Sequence, residues 1–251
     1  MTKHFSQKFL LLLLTLYLGC GFSQYNKHFK KGIDRFNQGD YQAAIRFFTL
    51  SLNINPGYKK ALAWRAKTYH KLKDYEKAIK DISSLVEKKK HPQASELTLR
   101  ADSCFQLNRY KSALKDYNQA ISIDSQNSQI YYKRGLLFLK IEAFKRAKSD
   151  LKYAIKLAPA NEQIYCHLGK YYVFRKQYKK AIHYLTEATK LNPDYAVAHY
   201  FLGRAYLGKK NKGMASIQCS ILGKLNAEKL KNKLLKLYLK QRDSIWEKRK
   251  V

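Results

Sequence analysis

The chain has 251 residues, and hydrophobic residues make up 45% of them. That proportion can supply the core of one large domain or two ordinary ones, and it excludes an intrinsically disordered protein. Lysine and arginine number 50 against 18 acidic residues, for a formal net charge of +32. We therefore expect attraction to anionic surfaces, whether nucleic acid, phospholipid or acidic protein.

The chain begins with a positively charged start, an uncharged apolar run at residues 9–18 and small residues after it. A membrane-spanning helix needs about 20 apolar residues, so this run is too short to cross a bilayer comfortably. The arrangement is typical of a secretory signal peptide, residues 1–23, with cleavage after Ser23. We therefore expect export to the periplasm, the cell envelope or the exterior.

Two alternatives to simple cleavage stay open. Leu18, Gly19 and Cys20 resemble the lipoprotein box of bacterial precursors and would leave a lipidated Cys20, although Tyr17 stands where that box usually has Leu. A retained membrane anchor is the other alternative. On each of these interpretations the rest of the chain works outside the cytoplasm.

Residues 162–195 show two successive helical periods that end at a proline. Their apolar residues recur at helical spacing, first at Tyr165, Leu168, Gly169 and Tyr172 and then at Ala181, Leu185 and Ala188. Gly169 and Ala181 are small, so we expect them where the two helices approach closely. Pro193 ends the second helix because its ring cannot continue the hydrogen-bond ladder. The stretch is therefore predicted to form a pair of packed helices.

This pattern resembles the tetratricopeptide repeat, a motif of about 34 residues built from two helices. It recurs in phase at residues 25–58, 59–93, 94–127, 128–161, 162–195 and 196–229, and the last copy degrades toward its end. The resemblance implies an all-α fold, a right-handed superhelical solenoid of antiparallel helix pairs. One repeat cannot bury its apolar face alone, so we expect neighbouring repeats to bury it together.

A different segment follows the sixth copy. Its apolar residues form a stripe at helical spacing, at Leu230, Leu234, Leu237, Tyr238 and Ile245, without the small residues of the repeats. Residues 230–251 are therefore predicted to be a basic amphipathic helix that overlaps the end of the sixth repeat and covers the open end of the stack. The basic face carries Lys229, Lys231, Lys233, Lys236, Lys240 and Arg242.

The sequence contains no recognisable catalytic constellation. The glycines form neither a G-x-G-x-x-G nor a Walker loop, no His-Glu-x-x-His occurs, and the histidines are scattered. Cys104, Cys166 and Cys219 are too widely spaced for a zinc or redox motif and are predicted to be small buried hydrophobes. We therefore expect a protein that is not an enzyme, with no cofactor, no metal site and no small-molecule substrate.

The resemblance also implies a concave groove, lined by the first helices of successive repeats at their fifth, ninth and twelfth positions. Carried onto this chain, these positions are Phe29, Ile33, Phe36, Lys67, His70, Asp102, Phe105, Tyr132, Leu136, Leu139, Lys170, Val173, Tyr200, Arg204 and Leu207, together with Ala63, Thr98 and Cys166. They predict an apolar and aromatic groove with sparse cations, which suits a peptide with hydrophobic anchors and a few acidic groups. The alternative is that several of them pack between repeats.

The leading hypothesis is thus a scaffold that holds another protein or peptide in this groove. The chaperone-tail clamp of some family members is disfavoured, because Phe29, Ile33 and Trp64 stand where that clamp needs Lys and Asn. One alternative is an envelope lipoprotein assembly factor lipidated at Cys20. Another is a basic solenoid that binds an anionic membrane surface, an acidic polymer or nucleic acid, of which export disfavours the last. A merely solvated lysine-rich exterior is the simplest interpretation of the charge.

Overall fold

The computed structural model describes residues 24–87 and 92–247, with side chains through residue 240. Within these ranges the chain forms thirteen α-helices and no β-strand, and consecutive helices pack as pairs. The predicted all-α fold of helix pairs is thereby confirmed. The predicted export segment, with Cys20 and Ser23, lies outside the described residues.

The chain divides into two compact units, with the boundary between Ser125 and Gln126. The first unit contains α1 (24–37), α2 (Tyr41–Ile54), α3 (Lys59–Lys71), α4 (Tyr75–Val86), α5 (Ala94–Gln106) and α6 (Tyr110–Ile123). The second contains α7 (Ser128–Lys140), α8 (Phe144–Leu157), α9 (Glu162–Phe174), α10 (Tyr178–Leu191), α11 (Ala196–Gly208), α12 (Lys212–Lys224) and α13 (Glu228–Glu247). From α2 to α6, and again from α7 to α13, each helix packs against the next. First helices of neighbouring pairs also touch, α3 with α5 and α9 with α11.

Short polar caps and left-handed turns set the helix boundaries inside a pair. The Asp40 carboxylate accepts a hydrogen bond from the Ala43 N–H at 3.0 Å, and Asp74 accepts one from the Lys77 N–H at 3.3 Å. Such caps satisfy N–H groups that have no partner within the helix. The preceding helices end in a residue with positive φ, Gly39 at 79° and Lys73 at 63°. This backbone conformation stops a helix and reverses the chain.

Glycine sets the distance between the helices of a pair. A β-carbon added to Gly169 of α9 would stand 2.5 Å from Leu185 Cγ of α10, and Gly32 of α1 has the same relation to the Phe48 ring of α2. The predicted close approach at Gly169 is confirmed. Gly169 faces Leu185, and Ala181 is fully buried. Any side chain at Gly169 would therefore force these two helices apart.

Three buried ion pairs tie first helices to second helices. In each, an arginine forms two hydrogen bonds to an aspartate 16 residues later, and the pairs are Arg65–Asp81, Arg100–Asp116 and Arg134–Asp150. Arg65 Nη1 also donates to Thr49 Oγ1 at 3.1 Å, and Arg100 Nη1 donates to Ser83 Oγ at 3.3 Å. Both hydroxyls lie on the second helix of the preceding pair. Because bidentate charged hydrogen bonds fix both partners, Arg65 and Arg100 each link two successive pairs.

The last helix packs on α11 and α12. Leu234 is fully buried, and Gly203 leaves the space that its side chain occupies, since a β-carbon there would collide with Leu234. Cys219 occupies the position in its repeat that Leu185 occupies in the repeat before it, and its side chain is shorter. The apolar side chain that packs on Gly203 is therefore Leu234 of α13. The expectation that Leu237 shares the packed face is wrong, because its side chain is 40% exposed. The packed row follows a spacing of four from Leu234 to Tyr238, and the Ile245 side chain lies outside the described residues.

Candidate partner-binding surfaces

In the first unit, the predicted groove residues on α1 are partly buried by aromatic neighbours. The Phe29 ring meets the Tyr58 ring edge-on at 5.2 Å and lies 5.9 Å from Phe48. The Phe36 ring packs against Tyr41 at 5.3 Å. Ile33 is also half-buried. These side chains therefore contribute as much to packing as to the accessible surface.

Lys67 of α3 forms a cation–aromatic surface with two rings of the first unit. Its Nζ lies 4.5 Å from the centre of the Trp64 ring and 5.2 Å from that of Phe36. The two rings are perpendicular, with centres 5.2 Å apart. Lys67 is exposed and forms no ion pair with a described residue. A cation held over ring faces in this way remains available to a carboxylate.

The remaining groove positions of the first unit are tied into internal contacts. His70 Nδ1 lies 2.9 Å from Ser103 Oγ, which itself donates to the Leu99 carbonyl. The Asp102 carboxylate accepts a hydrogen bond of 2.6 Å from Tyr117, and burial raises the pKa of that phenol. The Phe105 ring lies 5.9 Å from the ring of Tyr110. We therefore place these three in the framework of the unit.

In the second unit, three predicted groove residues are core. Tyr132, Val173 and Leu207 are only 8%, 5% and 6% exposed. Leu136 and Leu139 pack against the same core as Tyr132 and are partly buried. The Tyr132 hydroxyl lies 3.2 Å from His167 Nδ1, and burial raises its pKa to about 12. None of these five offers a freely accessible side chain to a partner.

Arg204 of α11 is the centre of a partly exposed cluster of the second unit, which we call the Arg204 cluster. Its members are Lys170 and Phe174 of α9 and Tyr200, Phe201 and Arg204 of α11. The Arg204 guanidinium lies 5.2 Å from the Phe174 ring centre, 5.5 Å from Phe201 and 5.8 Å from Tyr200. Lys170 Nζ lies 5.4 Å from the Phe201 ring centre. Two cations and three rings therefore share one surface.

Phe174 gives this cluster its exposed apolar element. Its side chain is 60% exposed, and its ring lies 6.2 Å from that of the buried Phe201. Neither Lys170 nor Arg204 forms an ion pair with any residue that the structure describes. Phe174 was not among the predicted groove residues, because the predicted positions stop one residue earlier at Val173. Its place as the last residue of α9 was the signal that could have found it, since a helix end leaves a side chain uncovered.

The predicted basic face of α13 is largely at the surface. Lys229, Lys233, Lys236 and Lys240 are exposed, whereas Lys231 pairs with Glu228 at 3.1 Å. The Arg242 side chain lies outside the described residues. The exposed lysines of α13 thus form a solvated row.

Of the three described cysteines, Cys104 and Cys166 are buried and Cys219 is partly buried. Burial raises the pKa of Cys104, of Cys219 and of Cys166, the last to about 11, so these thiols stay protonated near neutral pH. Across residues 24–87 and 92–240 no three His, Cys, Asp or Glu side chains come close enough together to hold a metal ion. Among the same described parts of the chain, every helix is too short or too polar to cross a membrane.

Consecutive helix pairs, spaced by glycine and displaying variable side chains on their first helices, define a helix-pair repeat protein of the kind that offers extended binding surfaces. Within that class, models of the tetratricopeptide repeat match part of the chain. A model described as "Tetratricopeptide repeat" matches residues 128–161 and 162–195, and one described as "TPR repeat" matches residues 101–141. A model of "Anaphase-promoting complex, cyclosome, subunit 3" matches residues 37–120.

Solved structures share this fold. The chain is similar to PilF of Pseudomonas aeruginosa, with a TM-score of 0.72 and 15% identity over 84% of this chain and 96% of that one. It is similar to the anaphase-promoting complex hetero-tetramer Cut9–Hcn1, with a TM-score of 0.70 and 19% identity over 84% of this chain and 42% of that one. It is also similar to YrrB, described as a tetratricopeptide protein with an unusual peptide-binding site, with a TM-score of 0.57 and 15% identity over 68% and 88%. These likenesses concern the fold.

Proposed function

We propose that this protein is a non-enzymatic scaffold that binds a peptide segment of another protein at the Arg204 cluster. The observation that carries the proposal is the Arg204 guanidinium, stacked against three rings and unpaired with any described carboxylate, beside the 60% exposed Phe174. Arg204 itself is partly buried, and Phe174 is the exposed member of the group. Aromatic and arginine side chains that lie together are typical of the residues that dominate binding energy at protein interfaces.

The geometry of the cluster favours one kind of peptide. A carboxylate fits Arg204, because the guanidinium can form two parallel hydrogen bonds while its face stays on the rings. An aromatic or aliphatic side chain fits Phe174, whose ring centre is 5.2 Å from the guanidinium. An extended chain advances about 3.3 Å per residue, so the acidic and apolar residues of the peptide would be one or two positions apart. Lys170 favours a second acidic residue nearby.

Lys67, Trp64 and Phe36 of the first unit make a smaller surface of the same chemistry. There too a lysine without a described acidic partner lies over two rings, one on its own helix and one on the preceding first helix. We propose that it takes a similar acidic and apolar segment. Peptide binding in YrrB and subunit association in Cut9–Hcn1 support a peptide or protein partner at the level of the fold.

Export is the second part of the proposal. It is supported by the short apolar run at residues 9–18 and the small residues before Gln24. Mass spectrometry of the N-terminus of the protein purified from its own cells tests it. A chain that begins at Gln24 supports simple export, and a lipidated Cys20 supports the envelope-lipoprotein alternative. A full-length chain in the cytoplasm contradicts both.

A photoreactive phenylalanine analogue at position 174 tests the binding surface. We expect it to form a covalent link to a partner segment that has a carboxylate within two residues of an aromatic or aliphatic side chain. The matched control carries the same analogue at Ile217 of α12, which is 49% exposed. Equal products from positions 174 and 217, or linked segments without an acidic residue, would contradict the proposed surface.

A further inference from the structure

A second concentration of charge lies at a different place in the second unit, where the turn between α9 and α10 meets the turn between α11 and α12. Five lysines surround Tyr178 there, namely Lys176, Lys179, Lys180, Lys209 and Lys210, and they line an open concavity of about 680 Å³. Gly208, the last residue of α11, allows the Tyr178 ring to approach closely, because a β-carbon there would collide with that ring. We call this set the Tyr178 basic cluster.

The charge of the Tyr178 basic cluster is unopposed. All five lysines are exposed, and none forms an ion pair with a residue that the structure describes. No acidic residue lines the concavity. Lys180 Nζ donates a hydrogen bond of 3.3 Å to the Gln177 side chain, which is neutral. Like charges brought together without counter-charges raise the local potential, and a bound anion would lower it.

The equivalent turns of the first unit show that this charge is not a requirement of the fold. There Asp74 caps α4 and pairs with Lys77 at 2.7 Å, and Glu76 pairs with Arg109 at 2.5 Å. Gln177 occupies the cap position of α10 and makes no side-chain hydrogen bond to the helix backbone. The first N–H groups of α10 therefore keep their partial positive charge and add to that of the lysines.

We propose that the Tyr178 basic cluster binds a compact polyanion made of linked or clustered phosphate groups. Phosphate groups carry about one to two negative charges each, so a few of them match five lysines within one concavity. Polymers that carry one carboxylate per unit have too low a charge density for so small a site. The phosphates could come from a soluble polyphosphate chain or from a polyphosphorylated lipid headgroup. None of these lysines belongs to the Arg204 cluster, so the inference is independent of the peptide site.

Isothermal titration of the purified protein with sodium tripolyphosphate tests the inference. We expect one site per chain and a dissociation constant that rises at least about tenfold when the five lysines become Gln. The matched control removes the same charge elsewhere, by Gln at Lys224, Lys229, Lys233, Lys236 and Lys240. It should change the constant less than about twofold. Equal weakening in both variants, or no saturable binding by the parent, overturns the proposal.

Two further arms complete the test. If the fivefold variant does not fold, the double variant Lys176→Gln/Lys210→Gln replaces it, with Lys229→Gln/Lys236→Gln as its control. Flotation with vesicles that contain a phosphatidylinositol bisphosphate identifies the source of the phosphates. Vesicle binding that tripolyphosphate displaces supports the site with a lipid source, and tripolyphosphate binding without vesicle recovery supports a soluble source. Vesicle binding that tripolyphosphate leaves unchanged contradicts the compact site.

Discussion

Arg134 and Asp150 join the two helices of one pair through two short hydrogen bonds, from Nε at 2.7 Å and from Nη2 at 2.9 Å. The Asp150 side chain is 9% exposed, so the ion pair is nearly removed from water. In the next pair of the same unit, Leu168 and Tyr184 stand at the equivalent positions and pack into the hydrophobic core. The same helix-pair geometry thus accepts either a buried ion pair or an apolar contact.

Removing one partner of this ion pair should lower the free energy of unfolding more than replacing both partners with packing side chains. We expect Asp150→Ala to lower the free energy of unfolding by about 3–5 kcal/mol, because it removes the carboxylate that neutralises the largely buried Arg134 guanidinium. The double variant Arg134→Leu/Asp150→Tyr, which copies the next pair, should lie within about 1 kcal/mol of the parent or above it. Urea denaturation measures both. A double variant as unstable as the single one would contradict this account.

Leu234 should stabilise the end of the second unit. Leu234→Ala removes a fully buried side chain from the contact with Gly203, so we expect the free energy of unfolding to fall by about 2–5 kcal/mol. Leu237→Ala is the matched control on the same helix and should change it by less than about 0.5 kcal/mol. Denaturant titration compares the two, and equal losses would show that α13 does not pack through Leu234.

Gly169 should tolerate no β-carbon. We expect Gly169→Ala to lower the free energy of unfolding by about 1–3 kcal/mol, because the new methyl overlaps Leu185, and Gly169→Leu to lower it further. Gly213→Ala is the control. Only the Asn211 side chain approaches that position, and alanine favours a helix over glycine by up to about 1 kcal/mol, so this variant should not lose stability. Thermal melts in which Gly169→Ala matches the parent would contradict the close packing.

His167 should make stability depend on pH. Burial lowers the pKa of His167, whose Nδ1 lies 2.9 Å from the Gln163 carbonyl oxygen. The unfolded chain therefore binds a proton at higher pH than the folded chain does, with a reference pKa of about 6.5. The contribution of neutral His167 to the free energy of unfolding should be fully present above that value. It should fall as the pH drops toward the lower pKa of the folded state.

Denaturation between pH 7 and pH 5 measures this slope. His167→Gln should flatten it, because the group that titrates is gone. His183→Gln, a change at an exposed ring on α10, is the comparison. A parent chain whose stability is unchanged over this interval, or a slope that survives in His167→Gln, would contradict the role of His167.

The helix pairs could be predicted from the sequence, because the small and large apolar residues that pack between the helices recur at a regular spacing. Gly169 and Leu185 recur at spacings that only paired helices explain, and the structure places them in contact. The buried ion pairs could not be found by inspecting single helices, because their members lie 16 residues apart on different helices. The available signal was the repetition of that spacing in three successive copies, beginning at Arg65 and Asp81.

The candidate site was harder to predict than the fold. Val173 and Phe174 are neighbours in sequence, yet Val173 is 5% exposed and Phe174 is 60% exposed. Phe174 is the last residue of α9. The position rule for the groove ends at the twelfth residue of the helix, Val173, and so leaves out the thirteenth and last, Phe174. Side chains near a helix end depend on the neighbouring helix, here α11, and on how Arg204 stacks against them.

Peptide selection with the purified protein tests the central claim most directly. From a random heptapeptide library we expect enriched sequences with an acidic residue one or two positions from an aromatic or aliphatic residue. Their dissociation constants should rise at least about tenfold in Arg204→Gln. They should stay within about twofold in Arg146→Gln, which removes an exposed arginine that lies 5.9 Å from the Phe138 ring. Selected peptides without acidic residues, or equal weakening by both substitutions, would contradict a partner-binding site at Arg204.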